Sequence, residues 1–253
     1  MRNLIFAFIC LFGFSAYGAA EQSMPVSTSS STAQKAVTIP TGYGTTLEGI
    51  VAGPEDASLG ILILHDRWGV NGTVKAWVSR FAERGYRALA IDVFDGRISD
   101  EMWLATEILN ATDPETVKAN ALAGLKFLKQ DGRKLVTLGA GFGGWQSFQA
   151  ALGSPGSVAA TVVIYGLLEA DVEQVRTLQA PLLTLYARDD ERISSEMIEE
   201  YRLLIKKSLI THRSYVYPAA QGFMDPLHPN YNAQATDDVW SQVDDFLAGF
   251  VEG

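Results

Sequence analysis

The stretch Leu135-Val136-Thr137-Leu138-Gly139-Ala140-Gly141-Phe142-Gly143-Gly144 decides how this chain is read. An apolar run leads straight into a glycine frame and then into residues of helical pattern. That is the layout of a nucleophile elbow, where a buried strand turns sharply into a helix through Gly-x-(Ser/Cys)-x-Gly and lifts a reactive side chain. Here the central position is Gly141, which has no atom that can attack a carbonyl. The turn is present and its nucleophile is missing.

Working outward, strands and helices alternate from Ala36 onward. Ala36–Ile39 and Thr46–Ala52 suggest an opening hairpin, and Gly60–Leu64 is a short, wholly apolar strand. Thr73–Glu83 carries apolar residues at helical spacing and stops at Gly85; Tyr86–Phe94 reads as another buried strand. Ser99-Asp100-Glu101 and Asp113-Pro114-Glu115 each open a helix, the second with proline early, where its missing N–H does no harm. There follow strand Lys134–Gly139, helix Gly144–Leu152, strand Val158–Tyr165, helix Val172–Leu178 and strand Pro181–Ala187. Helix Ser194–Ser208, strand Thr211–Tyr217 and a last helix near Ala233–Phe250 close the chain. Such alternation predicts an α/β fold, a mostly parallel central sheet with helices on both faces. Ligands of such sheets bind beyond the C-terminal ends of the strands.

The N-terminus reads differently. Arg2, the apolar run Leu4 to Tyr17 and the small residues Gly18-Ala19-Ala20 make residues 1–20 a signal peptide, so export to the periplasm or outside is expected. Residues 21–35 are rich in Ser and Thr and poor in large apolar side chains, which predicts a flexible tether. Residues 36–253 then form a single domain. Cys10 is the one cysteine and lies in the leader, so no disulfide or thiol chemistry is expected of the exported form. The net charge is −9, without basic clusters, which argues against nucleic acid or anionic membranes as partners. No membrane insertion is expected once the leader is removed. No histidine spacing suits a metal, and neither a metal nor a cofactor is implied.

The order of motifs resembles the dienelactone hydrolase family, carboxylic-ester and lactone hydrolases of the α/β-hydrolase fold. The likeness rests on Ile63 to Gly69 (Ile-Leu-His-Asp-Arg-Trp-Gly), Ala90 to Arg97, Gly139 to Gly144, Leu183 to Ile193, Tyr217 to Phe223, Pro229 to Asn232 and the helix around Trp240. The resemblance implies a nucleophile, a histidine base and an orienting aspartate. The acid position is retained as Asp190, with Asp189 the lesser choice. The nucleophile position is Gly141, and the base position, where the family has histidine, is Gln221. Glutamine cannot take up a proton near neutral pH. In the best-studied protease triad, losing the nucleophile or base costs about 10⁶ in rate, and losing both costs about the same.

The resemblance also implies an oxyanion hole made by the backbone N–H groups of Arg67 and Phe142, and a substrate surface of His65, Asp66, Trp68 and Arg97, with Trp68, Phe142 and Phe223 as the cleft floor. Backbone donors do not depend on the residue at 141, and the helix that follows adds its positive end. The expectation is therefore an exported, catalytically inactive family member whose cleft still takes a small anion, carboxylate or ester. Two alternatives stay open: a hydrolase with rearranged chemistry using Asp190, Asp66 or His228, and a structural interaction protein. Ser147 reads as packed and His212 as structural.

Overall fold

Strand β3 (Leu59–Leu64) is buried along its whole length, which places it inside a sheet covered on both faces. The computed structural model describes residues 32–42 and 44–251. The predicted leader and most of the predicted tether therefore lie outside the described residues.

In chain order the elements are β1 (Lys35–Pro40), β2 (Thr46–Ala52), β3, α1 (Gly72–Glu83), β4 (Arg87–Ile91), α2 (Met102–Asn110), α3 (Pro114–Leu128) and β5 (Lys134–Ala140). They continue with α4 (Phe142–Leu152), β6 (Ala160–Ile164), α5 (Val172–Thr177), β7 (Leu182–Ala187), α6 (Ser195–Ser208), β8 (His212–Tyr217) and α7 (Ala233–Ala248). The eight strands form one sheet in the order β1-β2-β4-β3-β5-β6-β7-β8. The pairs β1–β2 and β2–β4 are antiparallel and the other pairs parallel, as the alternation of strands and helices requires.

Period-two geometry splits the sheet between two cores. Ile61 and Ile63 belong to the face covered by α1 and α7, where they share a core with Trp77, Phe81 and Trp240. Leu62 and Leu64 belong to the other face, with Val117, Leu125 and Phe148 from α3 and α4. Each fully buried Leu or Ile contributes roughly 1.5–3 kcal/mol. Asp244 of α7 holds α1 by accepting from Arg80 at 2.9 Å and Arg84 at 2.7 Å.

Several boundaries differ from the sequence reading. The strand expected over Tyr86–Phe94 ends at Ile91, because Asp92 accepts from the N–H groups of Phe94 and Gly96 and turns the chain. Helix α4 begins at Phe142, directly on the elbow, rather than at Gly144. The strand expected over Val158–Tyr165 is shorter at both ends, Ala160–Ile164. Gln34 and Lys35, the last residues of the expected tether, are tied to the domain: Gln34 donates to the carbonyl of Lys75 and the hydroxyl of Ser79 on α1, and Lys35 pairs in β1.

Candidate active site

The residues singled out in the sequence converge beyond the C-terminal ends of β3, β5, β7 and β8, where Asp66, Gly141, Asp190 and Gln221 follow the strands. The elbow is built by close approach. A Cβ on Gly143 would lie 1.9 Å from the Leu64 carbonyl oxygen, and one on Gly139 would lie 2.1 Å from the Gly143 oxygen, so β5 and α4 can meet only through glycine. Gly141 has φ 56° and ψ −119°, a conformation that L side chains rarely adopt.

What stands in place of the nucleophile is Asp66. Its Oδ1 accepts from the N–H of Arg67 at 2.7 Å and from the N–H of Phe142 at 2.9 Å. These are the two backbone donors expected to form the oxyanion hole. A Cβ built on Gly141 would lie 2.4 Å from both carboxylate oxygens of Asp66. The carboxylate thus fills both the hole and the space of an elbow side chain. Burial pushes the Asp66 carboxyl above its ordinary value, against the pull of the Arg67 charge and the two N–H bonds. The expectation that the hole would receive an outside anion is corrected: its donors are bound by the protein's own carboxylate.

Asp190 caps the turn after β7. It is 9% exposed, and its Oδ1 accepts from the N–H groups of Arg192 (2.8 Å) and Ile193 (3.2 Å). Its Oδ2 is buried and has no hydrogen-bond partner among the described residues. Desolvation, only partly offset by the Ile193 N–H and the Arg67 charge, pushes its carboxyl up to about 6. Asp189, the lesser choice, is exposed and paired with Arg188 at 3.0 Å. The Arg67 side chain is buried near both acids, with Nε 4.0 Å from Asp66 Oδ1, Nη1 near the Met102 sulfur, and Nη2 unpartnered among the described residues.

The cleft has a volume of about 390 Å³, and Gly141, Phe142 and Gln221 line it. The rings of Phe142 and Trp145 stack 5.5 Å apart at 13°, and Phe94 continues the stack 6.0 Å behind Phe142 at 10°. Tyr165, Leu109 and Ile193 complete the apolar wall. Arg192 and Glu169 also line it, and Glu169 accepts from the Trp145 indole at 2.8 Å.

Other predicted residues lie elsewhere. His65 is 1% exposed; its Nδ1–H donates to the Asp66 carbonyl at 2.7 Å while Nε2 accepts from the Val93 N–H at 3.1 Å. Both ring nitrogens are thus spent on backbone, and burial lowers the ring's basicity, so His65 is a structural residue rather than a substrate contact. Arg97 is exposed and ties its Nε to the Phe94 carbonyl, away from the cleft. Trp68 and His228 line a second cavity of about 620 Å³, their rings 6.1 Å apart. The His228 ring packs on Gly222, and its Nδ1 accepts from the Asn230 N–H, so it is not placed at the cleft as a base. Phe223, expected in the cleft floor, is core against Tyr165. Ser147 is buried and bonded to the Val162 carbonyl, and His212 is bonded to Thr184.

Sequence reasoning missed Trp145, Tyr165, Leu109 and Ile193. Tyr165 and Ile193 follow the ends of β6 and β7, so strand ends were the available signal; Leu109 near the end of α2 had none. Among the described residues no group of three or more His, Cys, Asp or Glu side chains is arranged to hold a metal ion. No described helix is long and apolar enough to cross a membrane.

The dienelactone hydrolase family model matches residues 47–251. A protein of Saccharolobus solfataricus provisionally named a carboxymethylenebutenolidase is 25% identical over 245 residues, covering 81% of this chain and 94% of its own. A solved dienelactone hydrolase-like promiscuous phosphotriesterase from metagenomic libraries superposes with TM-score 0.75 at 22% identity, covering 86% of this chain and 98% of its own. The dienelactone hydrolase of Anabaena variabilis superposes with TM-score 0.66 at 17% identity, covering 85% and 97%. At these identities the solved structures speak for the α/β-hydrolase fold alone.

Proposed function

Because the chain belongs to the dienelactone hydrolase family, we propose that it is a non-hydrolytic member, exported from the cell, whose cleft binds a small ligand without turning it over. One observation carries this reading: the Asp66 carboxylate occupies the place of the missing nucleophile and bonds the two N–H groups that would stabilise an oxyanion. Acyl transfer needs a nucleophile, a base and free donors for the developing negative charge. Gly141 supplies no nucleophile, Gln221 supplies no base, and Asp66 Oδ1 already takes up both donors that a developing oxyanion would need. Losing an oxyanion-hole donor alone costs about 10²–10³ in rate in a well-studied protease.

The test is a broad ester and lactone screen on the purified protein from pH 5 to 9, alongside the Asp66→Ala variant. No saturable turnover by the parent is expected. A saturable rate that tracks the parent protein through purification overturns the proposal. Export is tested separately by the N-terminal mass of the protein recovered from the cell envelope or medium; retention of residues 1–20 there counts against it.

A further inference from the structure

We infer that the cleft takes a planar ring with a lactam edge, an N–H beside a C=O, which pairs with the side-chain carboxamide of Gln221. The inference rests on the non-hydrolytic reading and names the ligand class of that same cleft.

Three observations converge on it. The first is the supply of donors. A carbonyl entering this fold would ordinarily seat its oxygen on the N–H groups of Arg67 and Phe142. Asp66 Oδ1 holds both of them, at 2.7 and 2.9 Å. A ligand carbonyl therefore has to find its donor in the cleft wall. Most polar groups there are spent or lie at the mouth. The Trp145 indole donates to Glu169 and the Thr112 hydroxyl to the Ile108 carbonyl, while Asn110 and Arg192 are exposed. The Tyr165 hydroxyl stands among the carboxylates of Asp66, Asp190 and Asp225.

The second observation is Gln221 itself, a half-buried residue of the cleft wall. Its backbone carbonyl accepts from Asn230 at 2.9 Å, whereas its carboxamide makes no hydrogen bond among the described residues. Neither Oε1 nor Nε2 is enclosed, in contrast to the buried Oε1 of Gln146, so both are open to a ligand. A primary carboxamide carries a donor and an acceptor side by side in one plane. Its complement is a flat edge with the same pair in the opposite order, the geometry by which glutamine reads adenine. The lactam N–H then donates to Oε1, and the lactam C=O accepts from Nε2.

The third is shape. The stack Phe94–Phe142–Trp145, parallel within 13°, ends at Trp145, whose half-buried ring lines the cleft. A flat ring continues such a stack. A volume of about 390 Å³ holds a one- or two-ring compound.

The experiment titrates the purified protein with 2-quinolinone, its N-methyl derivative and coumarin, followed by calorimetry and by the Trp145 indole N–H resonance. Coumarin keeps the shape and the carbonyl but replaces the N–H by a ring oxygen. The lactam is expected to bind about three- to ten-fold more tightly than either of the others, the factor that one neutral hydrogen bond supplies. Gln221→Met keeps the length of the side chain without its amide and should bring all three probes to the same affinity; Gln221→Leu serves the same comparison should the methionine variant fail to fold. Affinities of the three probes for the parent within two-fold of one another, a lactam preference that persists in the Gln221 variants, or no binding of any probe at millimolar concentration overturns the inference. Turnover of dihydrocoumarin by the same preparation would instead overturn the non-hydrolytic reading, so the two failures are told apart.

Discussion

Placing a methyl group on the elbow should unfold much of the site, and the cost should depend on residue 66. In Gly141→Ala the new Cβ would stand 2.4 Å from both Asp66 oxygens, well inside contact distance. Either the carboxylate leaves the hole or the elbow shifts. Leaving strands the N–H groups of Arg67 and Phe142, and an unsatisfied buried donor costs about 1–3 kcal/mol. The backbone adds about 1–3 kcal/mol, because φ 56° with ψ −119° suits glycine and strains alanine. Together, with two donors stranded, a loss of roughly 3–9 kcal/mol is expected, a large part of a domain's total stability. In an Asp66→Ala background only the backbone strain remains, so the same substitution should cost about 1–3 kcal/mol. Urea unfolding of the parent, both single variants and the double variant closes the cycle, with a coupling of about 2–6 kcal/mol expected from the two donors. Additivity within about 0.5 kcal/mol, the range of independent sites, would refute the argument that residues 66 and 141 compete for one volume.

Other outcomes follow from the same geometry. Asp190 titrates near 6 when folded and near its ordinary value of about 4 when unfolded, so the folded state holds the proton more tightly. Stability should therefore fall as pH rises from about 4 to about 6, by roughly 2–3 kcal/mol from this group, with Asp66 acting in the same direction; melting curves of parent and Asp190→Asn between pH 4 and 7 check this, the variant showing the shallower slope. Gly141→Cys with Gln221→His should gain no esterase activity while Asp66 is present, whereas adding Asp66→Gly should yield measurable p-nitrophenyl acetate hydrolysis. Gly143→Ala should fail to fold or lose more than about 3 kcal/mol, since its Cβ would fall 1.9 Å from the Leu64 carbonyl; soluble yield and melting temperature measure it.

The fold was legible because the strands are short apolar runs and the helices carry their own caps: Asn71, Asp113, Asp171, Ser194 and Asn232 each bond the first turn they precede. The positions of Gly141, Gln221 and Asp190 were legible from motif order. The role of Asp66 was not. Nothing in the text His65-Asp66-Arg67 says whether the carboxylate points to solvent, to an arginine or into the elbow, because that depends on how closely β3 and β5 end together. His65 and Arg97 misled for the same reason. Polar residues beyond a strand can be spent on holding the loop, and both satisfy backbone groups of Val93 to Phe94.

The filled hole also constrains how such a protein could change its chemistry. Apart from proline, no substitution deletes a main-chain donor; it is occupied or vacated. A Cβ at 141 and the Asp66 carboxylate in its present place exclude one another, so a side chain gained at 141 must push that carboxylate aside. Restoring an elbow side chain therefore begins by vacating two main-chain donors, a step that costs stability before any reactivity appears.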